Sequence, residues 1–231
     1  MLKKLVFLCI LGVLSIETSV YATEKVELVN VEKSNTYVDE AKNYTKKLEY
    51  AKAEKCLNEA LKLNNKNAEA YFGLGIVEDA KKNNDKAINY YTKAIELSPN
   101  NYEYYYARGA AEINAIQLKA LVDDMNKVLE LNPKYGIAYG ILSIIYGSYG
   151  YPEKALVYCD KAIDYNETSL EVFYQRRSEI KTSLRDYDGA IADYNQAIVE
   201  TKKGNDFDTP QKIEYFKRKI QEMQEIKKVF K

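Results

Sequence analysis

The sequence predicts an all-α solenoid, a stack of helix pairs, from three observations: a fixed period, helical spacing inside each period, and one helix ending written twice. Tyr37, Tyr71, Tyr105, Tyr139 and Tyr174 lie 34, 34, 34 and 35 residues apart. Four residues after each comes a small one: Ala41, Gly75, Gly109, Ser143 and Ser178. Two further columns keep the rhythm, one of Ala53, Ala87, Leu121, Ala155 and Ala190, the other of Ala60, Ala94, Val128, Ala162 and Ala197. Four columns on one period point to repeated units that bury their faces on one another. The stretches "KAIELSPN" and "KVLELNPK" place Pro99 and Pro133 at the same offset. Proline cannot continue a helix and disfavours the helical region for the residue before it.

Each unit resolves into two helices. In residues 68–101, Tyr71, Leu74, Gly75 and Glu78 share one face of a first helix, and Ala87, Tyr91, Ala94 and Ile95 share one face of a second. "KKNND" supplies a polar turn between them. Gly75 is expected to face Ala94, so that the two backbones approach closely while Tyr71 fills the space beside them.

The run from "YFGLG" through Ala87, Tyr91 and Ala94 to Pro99 resembles the tetratricopeptide repeat, with tyrosine in place of the usual tryptophan. The resemblance implies a right-handed superhelical solenoid of helix-turn-helix units. Five are read: 34–67, 68–101, 102–135, 136–169, and 170–204 with one extra residue. The first departs from the pattern at Glu40 and Asn65, the fourth at Glu167 and the fifth at Lys181. Residues 205–231 are expected to form a capping helix. Thr209 before Pro210 opens it, and Ile213, Phe216, Ile220, Met223 and Phe230 make one apolar stripe.

The N-terminus reads as a secretory signal peptide, residues 1–22. Two lysines precede a 12-residue apolar run from Leu5 to Ile16, short of the ~20 residues that span a bilayer. Val20 and Ala22 then suit a cut after Ala22. Residues 23–33 are expected to be a flexible lead-in. The expected location is a bacterial periplasm or cell envelope, with no membrane span in the mature chain.

Composition narrows the function. The formal net charge is +0, which removes the usual electrostatic drive toward nucleic acid. There is no histidine, so the commonest general base and transition-metal ligand are missing. The expectation is a protein that is not an enzyme, with no cofactor and no metal. Of the two cysteines beyond the signal, Cys56 and Cys159 fall three units apart, too far for a disulfide, and are expected as small buried hydrophobes. The adjacent acids Asp123 and Asp124 point about 100° apart on a helix and do not converge.

Arg108 with Asp124, and Arg177 with Asp193, recur at the same offset of 16, while other units carry neither member. They are expected as structural ion pairs between the two helices of a unit.

The resemblance implies that a ligand would lie in a concave groove lined by first helices. Carried onto this chain, the groove positions include Glu69, Phe72, Ile76 and Asp79 of the second unit. The third supplies Glu103, Tyr106 and Ile113, and the fourth Ile137, Gly140, Ile144 and Gly147. Of the Tyr104–Tyr106 run, only Tyr106 is expected to face the groove. Val38 and Glu103 stand where the family's carboxylate clamp needs other residues, so chaperone-tail binding is not implied. The expected function is an exported scaffold that holds a protein or peptide partner, with Glu69, Asp79 and Glu103 favouring basic flanks. The alternative is a self-assembling structural subunit, a homo-oligomer of the envelope with no peptide ligand.

Overall fold

The computed structural model describes residues 2–114, 118–166, 168–204 and 208–229, among which are eleven α-helices and no strand. They fall into two units, divided after Gln117. The first holds α1 (Leu2–Lys46), α2 (Tyr50–Leu63), α3 (Ala68–Ala80), α4 (Asn84–Leu97) and α5 (Tyr102–Asn114). The second holds α6 (Leu118–Leu131), α7 (Gly136–Ser148), α8 (Pro152–Tyr165), α9 (Leu170–Ser183), α10 (Tyr187–Thr201) and α11 (Thr209–Val229). Side chains of residues 2–23 and of Asn114, and with them the cleavage signal at Val20 and Ala22, lie outside what is described, as do Glu167 and Phe230.

The repeat is visible in the backbone. Leu48, Lys82 and Arg185 have φ of 62° and Gly150 has φ of 79°, one at each described turn from a first helix to its second. Each turn closes the same way. The amide of Lys82 donates to the Asp79 carbonyl at 2.8 Å and that of Asn83 to the Glu78 carbonyl at 2.9 Å. The left-handed residue lets the chain reverse while satisfying the last carbonyls of the helix. A side chain costs about 1–2 kcal/mol in that conformation, and only Gly150 avoids it.

Small residues sit where helix pairs close. Ala53, Ala87, Ala155 and Ala190 are fully buried. Ser143 and Ser178 donate to the carbonyls of Ala155 and Ala190, both at 2.8 Å. The first-helix small column therefore meets the first alanine of the second helix. Gly75 departs from its expectation in a related way: a Cβ there would lie 2.4 Å from the Tyr91 ring, so Tyr91 rather than Ala94 sets its size.

The tyrosine and proline columns belong together. Tyr105 donates to the Pro99 carbonyl and Tyr139 to the Pro133 carbonyl, each at 3.1 Å. The phenol thus reaches past the helix ending and satisfies a carbonyl in the turn between repeats.

Both ends of the chain are helical. Residues 24–33, expected as a flexible lead-in, continue α1, which holds to the array through Ser34 and its 2.9 Å bond to the Ala60 carbonyl. Val26, Leu28, Val29 and Val31 on that stretch are exposed. At the other end, α11 buries Phe216 and Met223 and turns Glu214, Lys217 and Arg218 outward. Phe216 packs on Tyr194 with ring centroids 5.9 Å apart, and Lys227 pairs with Asp188. Among the described residues no helix is long and apolar enough to cross a membrane.

Candidate functional site

In the first unit the first helices α1 and α3 open a cleft of about 250 Å³. Val38, Ala41, Leu57, Phe72 and Ile76 give it an apolar lining, and Lys42, Thr45 and Lys46 stand at its edge. Gly73 is at the floor, where a Cβ would come 2.7 Å from Leu57 Cδ2. Phe72 rests on Tyr104 and Tyr91, at centroid distances of 4.8 and 5.7 Å. Ile113 on α5 is 47% exposed, and Tyr106 is half-buried.

The expected acidic rim is mostly engaged already. Glu69 accepts from Tyr104 at 2.5 Å and pairs with Lys42 at 3.0 Å, linking three first helices. Burial pushes its pKa up, but the hydrogen bonds from Tyr104 and Lys42 outweigh that and hold the carboxyl below its usual range. Asp79 accepts from Tyr91 at 3.4 Å, and burial raises its pKa against that bond. Two of the three acids named for a basic flank therefore already meet partners within the protein. Glu103 is exposed. Tyr104, expected away from the groove, is buried, yet its hydroxyl reaches the groove carboxylate. Lys42, Thr45 and Lys46, one helical turn apart on the same face of α1, are the groove residues that sequence reasoning left out.

The second unit presents a different first-helix face. Ile137 and Ile144 on α7 are exposed. Between them Gly140 lies under Phe173 of α9, whose Cε1 is 2.5 Å from where a Cβ would be. Arg176 donates to the Ile144 carbonyl at 3.1 Å and lies beside Gly147. Further along, α9 and α11 enclose a cleft of about 290 Å³ lined by Val172, Gln175, Lys212 and Tyr215.

Arg177 and Asp193, expected as a pair between the two helices of a unit, lie in contact. Arg177 forms a fork on Asp193, with bonds of 2.9 and 2.7 Å, and its third donor reaches Asp160 at 2.8 Å. Lys181 adds a second cation to Asp193 at 2.8 Å, which accounts for a lysine where the repeat commonly has an aromatic. Arg108 lies in the first unit, bonded to Thr92 Oγ1 at 3.1 Å and set over the Tyr105 ring. Asp124 is buried in the second. Both cysteines are free; Cys159 is buried, its thiol pushed up to about 11 by burial, whereas Cys56 is only half-buried, 3.8 Å from Glu40. Among the described residues no three acidic or cysteine side chains converge as a metal site would require.

Stacked helix pairs with an apolar first-helix face make an interaction scaffold. Residues 68–101 and 172–198 each match the tetratricopeptide repeat family. A TPR repeat-containing protein of Methanocaldococcus jannaschii is 38% identical over 73 residues, 32% of this chain but 12% of that protein. The chain therefore carries tetratricopeptide repeats. Solved structures agree on the fold. MamA of Desulfovibrio magneticus RS-1 superposes with a TM-score of 0.66 at 18% identity, over 75% of this chain and 98% of that one. PilF of Pseudomonas aeruginosa gives 0.65 at 16%, over 84% and 98%. YrrB, described as a TPR protein with an unusual peptide-binding site, gives 0.61 at 20%, over 76% and 90%.

Proposed function

We propose that the protein is a non-enzymatic, exported scaffold of a bacterial periplasm or cell envelope that holds a protein partner on its first-helix face. The observation that carries this reading is the apolar cleft between α1 and α3. An aliphatic or aromatic side chain entering it would be desolvated against Phe72 and Ile76, worth about 1.5–3 kcal/mol for a fully buried anchor. Tyr106 and Ile113 would extend the contact along α5. Of the two lysines at the rim, Lys42 is already paired with Glu69, so Lys46 is the one that favours an acidic residue of the partner, while Glu103 favours a basic residue further on.

The test is capture from the host's own extract by residues 23–231, beside a Phe72→Ala, Tyr106→Ala, Ile113→Ala variant checked by circular dichroism. A protein retained by the first and lost by the second supports the reading. Identical capture by both, or none by either, rejects it.

A second reading, self-assembly, is favoured by one observation: Val26, Leu28, Val29 and Val31 stand exposed on α1. Sedimentation equilibrium separates the two readings, because self-assembly alone requires concentration-dependent mass.

A further inference from the structure

Tyr151, Tyr146, Tyr158, Tyr139 and Tyr165 form one continuous file of rings on α7, α8 and the turn joining them. Successive centroids are 6.4, 5.3, 6.1 and 5.7 Å apart. Tyr146 and Tyr158 are stacked with 4° between their planes. Aromatic pairs at such separations are in van der Waals contact, and an electron passes readily between rings that touch. The file runs from the surface through the protein and back. Tyr139 is buried, Tyr146 and Tyr158 are half-buried, and Tyr151 and Tyr165 are exposed.

Two cations bias the direction of charge. Lys154 Nζ stands 3.8 Å over the Tyr146 ring, and Lys161 Nζ stands 5.2 Å over that of Tyr139. A cation above a ring face is attracted to its electrons and opposes their removal. An electron vacancy is therefore disfavoured on Tyr146 and Tyr139. Of the remaining rings Tyr151 and Tyr165 are the exposed ones, so the vacancy is trapped at the ends, where water takes the phenol proton.

We propose that this file is a relay that carries one-electron oxidation to Tyr151 and Tyr165. A one-electron oxidant from solution, a high-valent metal complex or an oxyl radical, takes an electron from any ring of the file and is itself reduced by one electron, and the vacancy moves along the file to an exposed end. There the phenol proton leaves to water and a neutral tyrosyl radical remains. Two such radicals, on two copies of the chain, couple through their ortho carbons. The ortho hydrogens shift to the oxygens, and dityrosine results. Ring packing alone would stabilise the helix pair without any of this, so the test has to separate conduction from packing and from exposure.

The protein contains its own control. Tyr149 and Tyr151 flank Gly150 and are each 59% exposed. Tyr151 contacts the Tyr146 ring, whereas Tyr149 touches no ring among the described residues. The purified chain is illuminated with tris(bipyridyl)ruthenium(II) and a pentaamminecobalt(III) acceptor, which together generate ruthenium(III) as the oxidant. The dose is kept substoichiometric, and oxidised tyrosines are mapped by peptide mass spectrometry. The expected result is a several-fold excess of product at Tyr151 over Tyr149. Tyr146→Phe keeps the ring packing but removes the easily oxidised phenol, and should bring the two yields level. Tyr158→Phe should lower the share of Tyr151 in the same direction. Equal yields in the unmodified chain, or an excess that survives Tyr146→Phe, would overturn the relay.

Discussion

At matching places 68 residues apart, α3 carries Phe72 and α7 carries Gly140. A ring covers that place in both, but it comes from different helices. Phe72 supplies its own and leans on Tyr104; over Gly140 the ring is that of Phe173, reaching across from α9. The consequence is visible on each face. In the first unit Phe72 helps line a cleft whose charges are already matched by Lys42 and Tyr104. In the second the face is left with Ile137 and Ile144 exposed. One backbone period can thus carry two surfaces of different chemistry, and the choice rests on which side of a helix interface supplies the aromatic ring.

The units differ also in how deeply they bury charge, and this gives the largest expected effect. Asp193 has a side chain only 5% exposed and two cations on it, whereas Glu69 is 39% exposed. Asp193→Ala strands Lys181, leaves Arg177 with Asp160 alone, and should cost about 3–5 kcal/mol. Glu69→Ala should cost about 1 kcal/mol or less, because solvent screens its pair. Urea melts of the two variants compare them directly. Equal losses would mean that burial does not separate the two sites.

Next comes the ring itself. Gly140→Leu forces Phe173 off α7 and should cost about 1–3 kcal/mol. In a Phe173→Ala background the same substitution should cost far less, since the space is then open. A double-mutant cycle without coupling would contradict the contact. The turns yield a smaller effect of opposite sign. Lys82→Gly or Arg185→Gly should stabilise by up to about 1 kcal/mol, and Gly150→Ala should destabilise by a similar amount, all read from thermal midpoints.

The smallest effect is one of pH. Glu69 is held below its unfolded value, so its contribution is present above that value and fades as pH falls through the folded one. Asp79 is raised, so its contribution is present below its unfolded value and is lost as pH rises through the folded one. The stability differences to Glu69→Gln and Asp79→Asn should therefore change in opposite directions across the carboxylate range. Parallel slopes would show that Tyr104 and Lys42 do not hold Glu69 as described.

The helix pairs, their period and their turns were legible because they follow from columns of residue types repeated along the chain. Three things were not. The tie from Tyr104 to Glu69 spans 35 residues between repeats, and a period assigns each residue a face without saying which neighbour it will touch across that distance. Tyr104 looked like core by offset and is buried, yet a phenol is long enough to carry its hydroxyl to the edge. The lysines of α1 escaped notice because the first repeat departs most from the pattern, though Lys42 and Lys46 at i and i+4 were a readable signal. Gly75 was matched to another small residue, when a flat ring fills the space a missing Cβ leaves equally well.

The central claim is that the first-helix face of α1 and α3 holds the partner. The most direct measurement is photo-crosslinking in the host, with p-benzoyl-L-phenylalanine placed in turn at Ile76, inside the cleft, and at Val157, exposed on the second helix α8. The account expects a defined adduct from position 76 and none of that mass from position 157. An adduct from position 157 alone would contradict it and move the working surface to the second helices.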